Sequence, residues 1–362
     1  MQKNIAILAG DGIGPEVTAQ AIKCLDAVAQ LFDHHFKYSE ALIGAAAIDA
    51  TGNPFPEATE TICKENDAIL FGAIGHPKYD NDPGAKVRPE QGLLAMRKKL
   101  GLFANVRPVK SYDKLLPISP LKESIIQGTD FVVFRELTGG IYFGEPRGRS
   151  ENGETAFDSC VYTKDEISRI THIAFKAAQN RDKKVTLVDK ANVLATSRLW
   201  RETVKEIASE YTDVTLDFMF VDNAAMKIIQ NPKHFDVVLT ENMFGDIITD
   251  EASVIAGSLG MLPSASLGTS QHLFEPIHGS YPEVAGQNVA NPLGAILSAA
   301  MLLEYAFDMQ EESDTIKKAV QKTLDDGFGT ADIIKNEHAA GTKEVGDKIA
   351  AIITDDNKVL TN

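Results

Sequence analysis

The chain has 362 residues, of which 44% are hydrophobic and 24% are charged, and its formal net charge is −15. This length exceeds one comfortable hydrophobic core, so two domains are expected. The negative charge argues against non-specific binding to nucleic acid or an anionic membrane, and the three scattered cysteines form neither a disulfide framework nor a zinc site.

The chain begins with a strand-like run at residues 4–8, without the basic and apolar regions of a secretion signal. No apolar run reaches the length that crosses a membrane. Strand-like and helical segments then alternate, which predicts an α/β protein with a largely parallel sheet. We therefore expect a cytoplasmic α/β protein.

A glycine-rich turn, AGDGIGPEV at residues 9–17, follows the first strand. Its alternate glycines allow a tight turn, and Pro15 and Glu16 suit the first turn of a helix. The spacing matches neither the dinucleotide fingerprint nor the Gly-Lys-Ser/Thr phosphate loop. The turn therefore fits a nucleotide loop and a plain strand-to-helix connection equally well.

Three arginines stand near the ends of predicted elements. Arg97 is in the helical segment 92–100, Arg107 follows the run 103–106, and Arg135 ends the strand 131–135. Arginine binds carboxylates through paired hydrogen bonds. The three predict an anion site if they converge, whereas each one singly fits ordinary surface charge. The long polar loop at residues 75–90, which precedes Arg97, is of a length that is more often functional than accidental.

The middle of the chain predicts a hairpin followed by alternating helices and strands. The Gly/Pro-rich segment 137–148 and the following Gly153 indicate an irregular or hairpin excursion that could reach a partner subunit. Thr163 and Glu166 form a capping box for a helix that ends near residue 180. A strand from residue 185 leads to Lys190, and a strand at residues 216–221 ends in Asp222.

Two aspartates share one face of a predicted helix. The apolar run 235–239 predicts a strand, and the apolar spacing after it predicts a helix from Asn242. Asp246 and Asp250 are four residues apart, so their like charges repel unless a positive group lies between them. A divalent cation with oxygen ligands at the end of a strand satisfies this pattern. A solvated acidic face is the alternative.

These segments, from residue 8 to residue 292, come in the order seen in the β-decarboxylating dehydrogenases, which act on isocitrate, isopropylmalate, homoisocitrate and tartrate. NMFGDIITD at residues 242–250 resembles the metal-binding helix of that family. RELTGGIYFG at residues 135–144, with GLLxxR at residues 92–97, is similar to the branch that acts on 3-isopropylmalate in leucine biosynthesis.

The resemblance implies a two-domain α/β fold with a mostly parallel central sheet, distinct from the Rossmann fold. The discontinuous first domain would comprise about residues 1–104 plus 257–362 and carry most of the NAD site. The second, about residues 105–256, would carry the metal ligands and the dimer interface. It also implies a homodimer in which each active site contains residues of both subunits.

The resemblance also implies which residues bind the substrate and the metal. The malate carboxylates would be held by Arg97, Arg107 and Arg135. Asp246 and Asp250 would bind Mg²⁺ or Mn²⁺ together with Asp222 of the partner subunit, which would also contact the substrate.

Three further roles follow from the same resemblance. Lys190 of the partner subunit would be the general base at the C2 hydroxyl, because a lysine near a metal and arginines can lose its proton more easily. Tyr142 would supply the proton that replaces CO₂. Leu93 and Leu94, one helical turn before Arg97, would face the substituent at C3.

The NAD contacts implied by the resemblance are Ile13, Glu90, Asn192, Glu275, His278, Gly279, Glu283 and Asn291. Glu283 stands where the family more often has Asp. Both acids can accept hydrogen bonds from a ribose diol and repel a 2′-phosphate, so NAD is expected rather than NADP. Tyr281 has no implied role.

The expected activity is the NAD-dependent oxidative decarboxylation of (2R,3S)-3-isopropylmalate to 4-methyl-2-oxopentanoate and CO₂. A homoisocitrate or tartrate-type substrate is the alternative within the family, although it would need something other than two leucines beside the substrate. A non-catalytic regulatory homologue is a third hypothesis, which the retention of every matched chemical position disfavours.

Overall fold

A computed structural model describes residues 1–81, 85–335 and 338–355. Three residues of the predicted loop 75–90, residues 82–84, therefore lie outside the described residues. None of the helices in the described ranges is both long and apolar enough to cross a membrane.

The described residues contain twelve strands and thirteen α-helices, joined by short 3₁₀ turns. The strands are β1 (Gln2–Gly10), β2 (His35–Glu40), β3 (Ala68–Ala73), β4 (Leu102–Lys110), β5 (Asp130–Glu136), β6 (Gly148–Arg149), β7 (Ala156–Phe157), β8 (Lys184–Asp189), β9 (Thr215–Phe220), β10 (Val237–Thr240), β11 (Pro263–Gly268) and β12 (His272–Pro276).

The helices vary from one turn to five turns in length. They are α1 (Gly14–Leu31), α2 (Gly44–Thr51), α3 (Glu57–Glu65), α4 (Pro77–Asp80), α5 (Pro89–Lys99), α6 (Glu123–Ile126), α7 (Lys164–Gln179), α8 (Ala195–Ala208), α9 (Val221–Gln230), α10 (Asn242–Ser253), α11 (Leu293–Phe307), α12 (Gln310–Asp325) and α13 (Thr342–Asp355).

The chain divides into two compact units. The first comprises Met1–Leu102, Tyr112–Ile118 and Gly257–Asn362, and the second comprises Phe103–Ser111 and Ser119–Ala256. The first unit is thus discontinuous in sequence and includes both termini. What each unit binds stays a prediction.

In the first unit the strands lie in the order β2-β1-β3-β12-β11, and every pair except β11–β12 is parallel. Helix α11 is apolar on all sides and is buried along most of its length, as expected for a helix inside a core.

In the second unit the order is β4-β5-β10-β8-β9, in which only β4–β5 is antiparallel. The four parallel strands end at one edge, since parallel neighbours share a direction. Their ends lead to Arg135, Lys190, Asp222 and the start of α10. The predicted α/β class with a mostly parallel sheet is therefore confirmed.

Local sequence signals in the second unit were mostly correct. Thr163 caps α7 through the predicted capping box with Glu166, and α10 begins at Asn242. Strands β6 and β7 form the predicted hairpin. One detail was wrong: Asp222 does not end a strand, because β9 ends at Phe220 and Asp222 lies in the first turn of α9.

Candidate active site

The two aspartates of the predicted metal helix have different surroundings. Asp246 is partly buried, with 38% of its side chain exposed, whereas the Asp250 side chain is 74% exposed. The N-terminus of α10 is capped by Glu241, whose Oε1 accepts from the backbone N of Phe244 at 2.7 Å. This cap fixes the helix from which both carboxylates project.

Arg135 makes an ion pair through Nη1 with Asp246 Oδ1. Its stem passes α10 at Gly245, where a Cβ would lie 2.6 Å from the arginine Cγ. Only glycine allows this approach without a shift of one of the two elements. A glycine inside a helix costs about 1 kcal/mol relative to alanine, and here close packing of an arginine against the helix explains it.

Tyr142 reaches the other oxygen of the same carboxylate. Its Oη donates to Asp246 Oδ2 at 2.9 Å, and the Arg135 guanidinium carbon lies 6.0 Å from its ring centroid. Burial raises the pKa of the Tyr142 hydroxyl, and the hydrogen bond to Asp246 adds to that shift. Tyr142 therefore keeps its proton at neutral pH.

Arg107 lies beside the second aspartate. Its Nη1 donates to Thr249 Oγ1 at 2.7 Å and lies 3.3 Å from Asp250 Oδ1. Two predicted arginines, Arg107 and Arg135, are thus on the face of α10 that carries Asp246 and Asp250 in the second unit. Each lies next to one of the two aspartates.

Lys190 and Asp222 form a separate ion pair at the ends of β8 and β9. The hydrogen bond from Lys190 lowers the pKa of the Asp222 carboxyl. Lys190 itself follows Asp189, which is fixed by two hydrogen bonds from Arg201 of 2.7 and 2.9 Å. The predicted base and the predicted third metal ligand therefore lie together.

The donor set on α10 fits a hard divalent cation, because it consists of carboxylate oxygens on one face of a helix. Among the described residues no group of three or more acids, histidines or cysteines could hold a metal ion. Asp222 is thus not clustered with Asp246 and Asp250 within this chain.

Leu93, Leu94 and Arg97 lie on α5 in the first unit. Leu94 is 52% exposed, whereas Leu93 is partly buried and packs against the core cluster of this unit. Arg97 pairs with Glu275 at 2.9 Å, and its Nε is buried without a hydrogen-bond partner among the described residues. Leu94 therefore presents an apolar side chain to solvent on the helix that carries Arg97.

Most of the predicted NAD residues belong to the first unit. The glycine-rich turn after β1 meets the segment after β12 closely: Ile13 N donates to Ser280 O at 2.7 Å, and a Cβ on Gly12 would lie 2.0 Å from that oxygen. His278 and Gly279 precede this contact directly. The turn and the predicted adenosine segment therefore form one surface.

His278 offers an unused donor or acceptor there. Its Nδ1 lies 2.9 Å from Gly279 O, and its Nε2 is buried without a partner among the described residues. Burial lowers the pKa of its imidazole, so it is neutral at physiological pH. A neutral ring with an unsatisfied nitrogen fits a neutral polar ligand group, such as a ribose hydroxyl of a dinucleotide.

The remaining predicted NAD residues are spread over several elements. Glu90 lies in the first turn of α5, and Glu275 lies in β12. Glu283 is an exposed residue of a 3₁₀ turn, and Asn291 is buried before α11. Asn192 is different, because it lies in the second unit two residues after Lys190.

Two residues of the site were assigned no role from the sequence. Asn242 accepts from Arg135 Nε and Nη2 at 3.0 and 2.8 Å. Glu136 is fully buried and accepts from the backbone N of Thr138 and Gly139 at 2.9 and 2.7 Å. Burial raises the pKa of the Glu136 carboxyl. The two glycines after Glu136 are the only sequence hint that its loop is tightly packed.

Comparison with known proteins defines the class first. The chain is a decarboxylating dehydrogenase. Its sequence is 32% identical to that of isocitrate dehydrogenase from Methylococcus capsulatus, and its fold matches that crystal structure with a TM-score of 0.84. The match covers 97% of this chain and 99% of that chain. A β-decarboxylating dehydrogenase from Thermococcus kodakarensis is 35% identical with a TM-score of 0.81, covering 98% and 96% of the two chains.

The family model described as isocitrate/isopropylmalate dehydrogenase matches residues 4–349, so the chain belongs to that family. The chain is 56% identical over 347 residues to the 3-isopropylmalate dehydrogenase of Bacteroides fragilis (strain YCH46), covering 96% of this chain and 97% of that protein. The protein of that name from Priestia megaterium is 53% identical over 362 residues, covering 99% and 98%. The family predicted from the sequence is confirmed.

Proposed function

We propose that the chain catalyses the NAD-dependent oxidative decarboxylation of (2R,3S)-3-isopropylmalate to 4-methyl-2-oxopentanoate and CO₂ in leucine biosynthesis, in the cytoplasm. The observation that carries this proposal is the convergence of Arg135 and Tyr142 on the two oxygens of Asp246. An anion-binding arginine, a proton-donating tyrosine and a carboxylate suited to binding a metal ion are thereby within reach of one small molecule. Relatives at 52–56% identity that carry the name 3-isopropylmalate dehydrogenase support the substrate.

The chain's own residues would bind and orient the substrate through its charges. Arg97, Arg107 and Arg135 would hold the two carboxylates by charge-assisted hydrogen bonds. Lys190 of the partner subunit would accept the proton of the C2 hydroxyl, and Tyr142 would donate a proton to C3 after the carboxyl group on C3 leaves as CO₂. A proton donor that keeps its hydrogen at neutral pH suits the second step.

Two bound groups would supply the rest of the chemistry. A divalent cation on Asp246 and Asp250, with Asp222 of the partner subunit, would polarise the oxygen at C2 as a Lewis acid. NAD, held by Ile13, Glu90, Asn192, Glu275, His278, Gly279, Glu283 and Asn291, would accept the hydride. Mg²⁺ and Mn²⁺ both suit oxygen ligands.

A homodimer with shared sites is part of this proposal. Large apolar side chains are exposed beside the residues expected to be shared: Val193 at 61%, Met226 at 55% and Ile247 at 57%. Val193 follows Lys190 by three residues, Met226 follows Asp222 by one helical turn, and Ile247 follows Asp246. Exposed apolar side chains beside the proposed active-site residues favour contact with a second subunit over contact with solvent.

The substrate assignment predicts that the wild-type protein oxidises 3-isopropylmalate, tolerates other small 3-alkyl malates and uses isocitrate very poorly. The isopropyl group carries three carbons, worth roughly 2.4 kcal/mol when buried, whereas a carboxylate against leucine has no partner. Steady-state kinetics on the three substrates tests this directly. If isocitrate is used as well as isopropylmalate, the substrate assignment is wrong and only the family stands.

The residue behind this preference should be Leu94 rather than Leu93. Leu94→Ala should lower kcat/KM for isopropylmalate on the order of tenfold, with malate much less affected, because about half of that burial is lost. Leu93→Ala should instead lower the thermal midpoint, since Leu93 packs on the core cluster. Leu42→Ala is the matched control, because Leu42 in the same unit is also half exposed, at 49%.

NAD should be preferred over NADP because Glu283 is exposed and negative where the adenosine ribose is expected. Glu283→Gln should lower the ratio of the Kd for NADP to the Kd for NAD, mainly because NADP binds more tightly. Both constants are measured by calorimetry without substrate. Glu304, on the buried helix α11, is outside the predicted cofactor set, and Glu304→Gln should leave the ratio unchanged. A wild-type protein that binds NADP more tightly contradicts the cofactor assignment.

A further inference from the structure

A buried tyrosine that the proposed function does not use, Tyr162, lies against the start of α10. Its side chain is almost fully buried, and its Oη donates to Glu241 Oε2 at 3.0 Å and accepts from the backbone N of Asn242 at 2.9 Å. Glu241 and Asn242 are the cap and the first residue of the helix that carries Asp246. One phenol therefore holds the N-terminus of the metal helix.

The ring of Tyr162 also packs against the loop that leads to Tyr142. A Cβ on Gly139 would lie 2.7 Å from the ring atom Cε1, and a Cβ on Gly140 would lie 2.3 Å from Oη. Gly140 has a φ of +77°, which other residues rarely adopt, and its N donates to Val161 O at 2.9 Å. Two glycines thus bring the loop into direct contact with the phenol.

Asn242 connects the same loop and helix to Arg135. Its Nδ2 donates to Gly139 O at 3.2 Å, while its Oδ1 accepts two hydrogen bonds from Arg135. Arg135 in turn pairs with Asp246, whose other oxygen accepts from Tyr142. The loop, the arginine and the helix therefore form a closed hydrogen-bond network.

We propose that Tyr162 is a positioning residue that sets the separation between Tyr142 and the metal carboxylate Asp246. This inference rests on the proposed function, in which Tyr142 delivers a proton and Asp246 binds a metal ion. Both the loop and the helix use the Tyr162 phenol as a common support. Without its hydroxyl, the buried carboxylate of Glu241 loses a donor and the Asn242 N–H loses its acceptor, and unsatisfied buried groups drive local rearrangement.

The test is Tyr162→Phe, which keeps the ring and removes only the hydroxyl. A misplacement on the order of 1 Å can cost about 10²-fold, so kcat should fall between about 10-fold and 100-fold. The KM values for substrate and NAD should change less than about threefold. Tyr142→Phe sets the upper limit, because loss of a positioned acid costs about 10²–10⁴-fold.

A second readout does not depend on turnover. Mn²⁺ affinity, measured by calorimetry without substrate, should fall about tenfold in Tyr162→Phe, the range in which second-layer partners of metal ligands act. Tyr211→Phe is the matched control, because Tyr211 lies 2.9 Å from His172 Nδ1 in the same unit, outside the predicted site. It loses one hydroxyl and should keep wild-type kcat and Mn²⁺ affinity.

The single tryptophan distinguishes positioning from loss of structure. Trp200 packs edge-on against the Tyr162 ring at 5.4 Å, and phenylalanine preserves that contact, so its fluorescence maximum should not move. Wild-type turnover of isopropylmalate must be shown first, and its failure would count against the proposed function alone. Given that turnover, kcat and Mn²⁺ affinity equal to those of Tyr211→Phe would overturn the positioning role, as would a shifted fluorescence maximum.

If Tyr162→Phe does not fold, Asn242→Asp decides. Aspartate keeps the acceptor for Arg135 but cannot donate to Gly139 O, so the link to the loop is lost, and its added negative charge repels that carbonyl. The same fall in kcat with unchanged KM is expected. If the Asn242→Asp variant keeps the wild-type kcat, the proposal that this network positions Tyr142 is wrong.

Discussion

Asp246→Asn is expected to remove nearly all turnover while leaving the fold intact. Asparagine matches aspartate in size but lacks the charge that a divalent cation requires. Lewis-acid stabilisation of an oxygen is worth several kcal/mol, and about 1.4 kcal/mol corresponds to a factor of ten, so kcat should fall by about 10³-fold or more. Because 38% of the Asp246 side chain is exposed, the folded state should tolerate the change.

The measurement is kcat at saturating Mn²⁺, together with the thermal midpoint and a titration with a chelator. Asp250→Asn should show a comparable loss. Asp165→Asn, which makes the same charge change at an exposed position on α7 of the same unit, should keep wild-type activity. Full activity of the wild-type protein after complete chelation would refute the assignment of the two aspartates to a metal.

Mixed dimers of Lys190→Ala and Asp246→Asn subunits are expected to recover activity that neither homodimer has. If each site combines Asp246 of one subunit with Lys190 of the partner subunit, a heterodimer contains one intact site and one doubly altered site. It should therefore show about half of the wild-type activity per dimer, since one site of the two is complete. The absence of a three-residue metal cluster within the described part of the chain motivates this expectation.

The heterodimers should be isolated with two different affinity tags and assayed beside both homodimers. Recovery near half of the wild-type value supports shared sites. Heterodimers as inactive as the two parents would place Lys190 and Asp246 in the same subunit's site. The matched control pairs Lys190→Ala with Asp165→Asn: its second subunit has no altered site residue, so each dimer should again keep one intact site.

The sequence by itself determined the features that depend on local pattern. The spacing of apolar residues predicted α10, the capping box predicted α7, and the glycine and proline content predicted the hairpin β6–β7. These signals are local because backbone hydrogen bonding and amphipathic faces repeat every few residues. The order of matched segments was enough to predict the family.

The spacing of apolar residues did not locate the boundary between β9 and α9 correctly. Asp222 was expected to end a strand, but Val221 and Asp222 already belong to α9. An apolar valine at this position fits both the end of the strand and the start of the helix, so the sequence pattern alone does not fix the boundary. The consequence is small, since the carboxylate still projects next to Lys190.

Only the tertiary structure decided which of two adjacent leucines is available. Leu93 and Leu94 are the same residue type on one helix, so no local property separates their roles. Successive helical residues point about 100° apart, and Leu93 meets the core cluster while Leu94 remains half exposed. The exposure was set by what packs against α5, not by the helix itself.

The contacts that position the site residues could not be predicted from the sequence either. Arg135 and Asp246 are separated by 111 residues, Tyr142 and Asp246 by 104, and Tyr162 and Glu241 by 79. Such pairs have no repeating pattern, because their proximity comes from strands β5, β8 and β10 lying side by side in parallel. Residue type can indicate chemistry, but only the packing of distant segments brings a donor within hydrogen-bonding distance of its acceptor.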